Sequence, residues 1–183
     1  MRDIAENYLP DHNTANCILT YGYIDQSVGL SIEILACGMQ LENDKYSFFH
    51  PNSQVRTHAS IAAVQHIQFS VLTDENRLKE IYKDKLSVLY EYPINIDIEK
   101  TRQMTFLDSN RDKFYVDDIL VHLIKADYQV EACWVRLESL KTHSFIGRLR
   151  NEPYQALGVH LGDLLEFRVE KNTDNKYICC CYL

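Results

Sequence analysis

The sequence predicts an α+β fold, an antiparallel sheet with a few helices whose C-terminal third forms a small barrel-like all-β unit. Three observations carry that expectation. From about Asp127 onward, four strand-like runs (Val130–Leu140, Ser144–Leu149, Leu164–Glu170 and Tyr177–Leu183) are separated by short polar turns. Apolar residues at clear helical spacing occur only earlier, after Thr73. The chain has 183 residues, 46% apolar and 25% charged, enough to bury a core of ordinary domain size.

In chain order, Pro10-Asp11-His12-Asn13 reads as a turn. Cys17–Ile24 and Val28–Cys37 form a hairpin around Asp25-Gln26-Ser27. Residues 40–54 are polar and aromatic with Pro51, which predicts a loop. Ser60–Leu72 is divided: Ala59, Ala62 and Ala63 favour helix, whereas Ile67, Phe69 and Val71 alternate like a strand. Thr73-Asp74-Glu75 opens a helix with a capping hydroxyl and two acids, and Leu78, Ile81, Tyr82 and Leu86 then share one face. Ile94, Ile96 and Ile98 alternate with Asn95, Asp97 and Glu99, predicting a half-buried strand. Thr105–Leu107 and Lys113–Val116 flank Asp108–Asp112 as a second hairpin, and Lys171–Lys176 is an exposed turn.

Charge divides the chain near residue 126. Residues 1–126 hold 12 basic and 18 acidic side chains, against 7 and 8 in 127–183. This suggests an N-terminal α+β region over 1–126 and an all-β unit over 127–183, packed as one body, since no Gly/Ser- or Pro-rich linker separates them. The net charge of −7 disfavours bulk binding to nucleic acid or anionic lipid. No apolar run approaches the ~20 residues of a membrane helix, and no secretory signal opens the chain. A cytoplasmic location is therefore expected. It agrees with six cysteines that include the consecutive Cys179-Cys180-Cys181, a run unsuited to a disulfide framework.

Chemical motifs are scarce. The usual zinc spacings are absent, as are the phosphate-binding glycine loops and the Gly-x-Ser-x-Gly elbow, so no cofactor, metal or catalytic residue is assigned. The seven histidines are dispersed, and His58 and His66 share a helical face only if 58–66 is one helix. Cys133 lies in an apolar strand and Cys37 before Gly38 in a turn, neither the cationic setting of a nucleophilic thiol. Asp97 with Glu99, and Asp117 with Asp118, read as solvated faces or turn caps instead of acid–base pairs. Arg148 and Arg150 share a strand face, the only hint of an RNA-binding stripe.

The C-terminal third also carries a recognisable order. Glu131-Ala132-Cys133-Trp134-Val135-Arg136 is followed by Gly147-Arg148-Leu149-Arg150-Asn151-Glu152-Pro153, then by Gly162-Asp163 ahead of an apolar strand. A Trp-Val strand, a Gly-x-Leu-x-Asn-x-Pro turn and a Gly-Asp in this order resemble bacterial domains of unknown function, some relatives of which are associated with immunity proteins of toxin systems. The resemblance covers about 50 residues and implies no catalytic residue. If it extends to role, the partner is a basic toxin domain.

The residues themselves suggest shape. Gly147 marks a bend or a close approach, Pro153 ends a ladder, and Gly162-Asp163 makes a turn. The single Trp134 reads as a core anchor, with a surface patch beside Tyr154 and Arg148 as the alternative. The candidate binding residues are Trp134, Arg148, Asn151 and Tyr154. The expected function is a non-enzymatic interaction or binding module whose protein partner has a basic surface. Its alternatives are a small Cys/His-dependent hydrolase with a cleft between the halves and, less favoured, an RNA-binding barrel.

Overall fold

The computed structural model describes residues 15–25, 27–42, 45–49, 58–64, 66–72, 74–91 and 95–183, which fall into two compact units, 1–93 and 94–183. The expected turn at residues 10–13, together with His12, His50, Pro51, Thr73 and Ile94, lies outside the described residues.

The first unit is built on the expected hairpin. Strands β1 (Cys17–Asp25) and β2 (Gly29–Gln40) pair antiparallel. Asp25 closes the turn by accepting from the Ser27 N–H (2.7 Å), the Ser27 hydroxyl (2.5 Å) and the Val28 N–H (3.1 Å). The opposite edge of β2 carries two short strands, β3 (Tyr46–Phe49) along Cys37–Gln40 and β4 (His58–Ser60) along Ser31–Glu33. Strand β3 corrects the loop expected over 40–54. Tyr46 and Phe48 alternate on one face and stack at 6.0 Å, a short strand hidden in composition by polar neighbours. Cys37 is likewise a buried strand residue, not a turn residue.

Among the described residues of the divided stretch, one helical turn forms, α1 (Ile61–Val64). The alternation beyond it makes no strand, and Val71 is 93% exposed. Because His58 lies on β4 and His66 follows α1, the two do not share a helical face. Helices α2 (Glu75–Ile81) and α3 (Lys83–Ser87) meet at Tyr82, whose φ of −104° and ψ of 19° break the helix. Tyr82 and Leu86 therefore pack on Leu19, Leu35 and Ala36, while Ile81 turns to solvent. Asp74 occupies the cap position of α2 without a side-chain cap bond. The β1–β2 register shifts at Leu19/Thr20, leaving Leu35 as an extra residue on β2, and its carbonyl accepts from Lys85 Nζ at 3.1 Å.

The second unit corrects two expectations before confirming the barrel. The segment read as a strand from isoleucine alternation is helix α4 (Ile96–Arg102), with Ile98 buried and Ile96 exposed. The helix wins because Asn95 caps it: Oδ1 accepts from the N–H of Asp97 (3.1 Å) and Ile98 (3.3 Å). Asp97 and Glu99 then sit at its positive end, with Lys100 and Arg102 in its last turn. Thr105–Asn110 is a 3₁₀-helix, so the second expected hairpin does not form; Leu107 fixes it by full burial.

Strands β5 (Asp118–Ile124), β6 (Glu131–Leu140), β7 (Phe145–Leu149), β8 (Leu164–Lys171) and β9 (Tyr177–Tyr182) form a closed barrel. Successive strands run antiparallel, so the first and fifth point the same way and the β5–β9 closure is parallel. The boundary drawn near 126 falls in the turn joining the paired β5 and β6. Charge composition changes there, but the hydrogen-bonded ladder continues, and the barrel includes β5.

Its interior holds Ile119, Val121, Leu123, Cys133, Val135, Leu149 and Cys179, all fully buried, with Phe145 and Phe167 stacked at 5.4 Å. The free thiols of Cys179 and Cys181 belong to this core. Among the described residues no helix is long and apolar enough to cross a membrane.

Asn95 joins α4 to the barrel. The β6–β7 register shifts between Leu137 and Ser139, and the carbonyl of the extra residue Glu138 accepts from Asn95 Nδ2 at 2.9 Å. Asn95→Ala removes cap and bridge together and is expected to destabilise the second unit by about 2 kcal/mol. Asn95→Asp keeps the cap acceptor and should recover part of that loss in urea unfolding.

Candidate binding loop on the barrel rim

Alternation places the even-numbered residues of β6 ahead of its bulge at Glu138 outside the barrel. Trp134 is among them, half-buried and absent from the interior, which corrects its reading as a core anchor. It stands opposite Leu120 on β5, and its carbonyl accepts from the Arg150 N–H at 2.8 Å. Its own N–H donates to Asn151 Oδ1 at 2.8 Å, so an amide side chain continues the ladder where β7 has ended.

Asn151 opens an irregular loop that runs to Asp163. Its amide nitrogen reaches Cys133 Sγ and the Glu152 carbonyl, both at 3.4 Å. Pro153 is buried, and Leu157 enters the barrel core while its carbonyl accepts from Lys125 Nζ at 2.6 Å. Glu131 accepts from the backbone N–H of Tyr154 (2.6 Å) and of Gln155 (3.2 Å). These bonds, the Tyr154 N–H foremost, hold its carboxyl below the usual range. Asp163 Oδ2 accepts from the His160 N–H at 2.8 Å, and Gly162 supplies a φ of +94° that other residues rarely adopt. Arg148 forks onto Glu138 (2.6 and 3.2 Å) and donates to the Gly162 carbonyl at 2.7 Å.

The four candidate binding residues thus separate by role. Asn151 and Arg148 hold the loop in shape, Trp134 lies half-covered beside it, and Tyr154 projects from it at 99% exposure. Glu131 and Glu152 are loop-fixing groups that the sequence reading missed, whereas Asp163 makes the local side-chain bond expected of the Gly-Asp turn. Glu131 acts across 23 residues and leaves no spacing to read.

Glu152 and His160 form a second latch. The Glu152 carboxylate accepts from the Leu161 N–H and bonds His160 Nδ1, each at 2.7 Å. The Leu161 bond and then the imidazole lower the Glu152 carboxyl, and the hydrogen bond that the protonated imidazole donates to Glu152 raises His160. A raised imidazole favours the closed loop while protonated and releases it as pH climbs through its raised value; a lowered carboxyl releases it as pH falls through its own. The latch is accordingly strongest between these limits. NMR titration should find His160 above an ordinary histidine, and Glu152→Gln should return it toward that value.

Arginine pairs occupy the outer surface. Arg102 grips Asp117 (3.0 and 2.6 Å) and also reaches Glu99, and Arg136 grips Asp118 (2.6 and 2.9 Å) with its guanidinium over Tyr115 at 5.5 Å. Asp117 and Asp118 are therefore buried partners of arginines, not a solvated face. Asp97 and Glu99 lie in the first turn of a helix instead of on one strand face. Of the expected basic stripe, Arg148 is engaged by Glu138, while the exposed Arg150 side chain makes no bond to another described residue.

Burial pushes all six thiols up, Cys179 to about 12, opposite to what a nucleophile needs. His122 Nδ1 lies 3.3 Å from the carbonyl oxygen of Cys179. Among the described residues, no three His, Cys, Asp or Glu side chains are placed to hold a metal ion. No protein-family model, curated protein or solved structure matches this chain.

Proposed function

We propose that the chain is a non-enzymatic, immunity-like protein-interaction module that acts in a bacterial cytoplasm on a partner with a basic surface. The observation that carries this reading is Tyr154, exposed on a loop whose polar groups are bonded within the barrel. A tyrosine on a rigid support loses little conformational freedom on binding, and tyrosine is among the residues that anchor interfaces. Long-range attraction comes from the net charge of −7, with 12 acidic against 7 basic residues in 1–93. Raised thiols count against the Cys/His hydrolase, and the engagement of Arg148 by Glu138 counts against an RNA stripe of Arg148 and Arg150.

Affinity capture at low salt tests the reading. A basic protein should be retained, released as salt rises, and held less by Tyr154→Ala than by the native chain. Recovery of no protein under low salt overturns the module reading. Equal retention by Tyr154→Ala removes the rim loop from the contact.

A further inference from the structure

Strands β5 and β7 run the same way, so the turn after the first and the loop after the second lie at one end of the barrel. The strand connections at the opposite end, Lys141–Ser144 and Asn172–Lys176, contain no apolar residue. The near end is different. Tyr128 and Val130 belong to its turn, Tyr154 and Leu161 to its loop, and all four are exposed.

Gln155 fastens the two segments together. Its amide oxygen accepts from the Gln129 N–H at 3.1 Å, and its amide nitrogen donates to the Gln129 carbonyl at 2.8 Å, as a neighbouring strand would. Tyr128 and Val130 are the residues on either side of Gln129, and Tyr154 adjoins Gln155. Lys125 braces the same place: Nζ donates to the Leu157 carbonyl at 2.6 Å and stands 5.2 Å from the centre of the Tyr128 ring. Three exposed apolar residues thus stand on adjoining, braced backbone, which lowers the cost of ordering them on binding.

Charge is distributed unevenly about them. Segments 125–131 and 150–166 hold five acidic and two basic residues, whereas the rest of 94–183 holds nine and ten. The negative charge of the second unit is therefore concentrated around its apolar rim, and apolar patches framed by polar groups mark interaction sites. A second copy would set two acidic frames against each other, and an anionic lipid surface would be repelled as well. A cationic protein surface suits the frame, and an apolar side chain within it suits the centre.

We propose that Tyr128 and Val130 join Tyr154 in one contact surface, which takes a protein segment presenting an apolar side chain flanked by lysines or arginines. This rests on the interaction-module reading and adds to it a second segment of the chain and the pattern that the partner displays.

NMR of the full chain at low salt tests the surface, with an amphipathic leucine–lysine peptide as probe and its leucine–glutamate counterpart as control. The lysine peptide should shift the amides of residues 127–131 and 154–155 and be released as salt rises, while the glutamate peptide leaves them unmoved. Tyr128→Ser with Val130→Ser, which keeps Tyr154, should weaken the lysine peptide at least about tenfold. Val130→Lys is a single change at an exposed position and should weaken it by placing a like charge at the centre.

Shifts confined to other residues, equal binding of the glutamate peptide, native affinity in both variants, or no shift with either peptide each overturn the surface. None of these results touches the module reading, which falls if affinity capture recovers no protein. Rim amides that move with the concentration of the chain itself assign the surface to a second copy and overturn the proposal equally.

Discussion

Asp118→Ala is expected to lower the stability of the second unit by about 3–5 kcal/mol. The side chains of Asp118 and Arg136 are only 11% and 16% exposed, and two hydrogen bonds of 2.6 and 2.9 Å join them. Removing the carboxylate takes two charge-assisted hydrogen bonds from a largely buried guanidinium with little water to replace them, and breaking a buried pair from one side costs more than the pair contributes. The distinguishing measurement is the double variant Asp118→Leu with Arg136→Met. If desolvation is the cause, urea unfolding should show that the double variant recovers most of the loss, because neither charge remains to be solvated. A double variant as unstable as Asp118→Ala would mean that the geometry of the pair itself, with Tyr115 beneath the guanidinium, holds β5 to β6.

Gly147→Ala should cost about 3 kcal/mol, at the top of the range for overpacking a core. A Cβ at this position would stand 2.5 Å from Val135 Cγ1 and 2.6 Å from the Arg136 carbonyl oxygen, and the second of these is backbone that cannot swing away. Strand β7 therefore approaches β6 so closely that only glycine fits. The expected readout is a lower unfolding midpoint, with loss of hydrogen-exchange protection along β6 and β7 before the rest of the barrel. Gly162→Ala is a useful contrast: its Cβ would meet nothing, so any cost there comes from the positive φ alone.

The turn and strand pattern of residues 127–183 was legible because each strand there needs only period-2 alternation and a polar break. Strands β6 to β9 lie within a residue or two of the runs read from sequence. The isoleucines at 96 and 98 misled for the opposite reason. Their alternation fits a strand, yet Asn95, the acids at 97 and 99 and the bases at 100 and 102 spell a capped helix in the same letters. The cap signal was present and outweighed only because three isoleucines are more conspicuous than one asparagine. At the candidate site, Pro153 and Gly162 could be read as shape-setting residues, and the structure gives them that role. Trp134 could not be placed, since the face a strand residue takes depends on which side of the sheet closes inward.

Sequence by itself determined the hairpin of the first unit, the all-β character of the last third and the glycines and proline that punctuate it. These depend on neighbours a few positions apart, where steric limits on φ and the two-residue repeat act directly. Tertiary structure decided that β5 belongs to the barrel, that Asp117 and Asp118 are buried against arginines, and that Glu131 secures a loop 23 residues away. Each of those outcomes is a pairing between distant segments. Its free energy comes from burial and hydrogen bonds that exist only after the chain has closed on itself, and local spacing carries no trace of them.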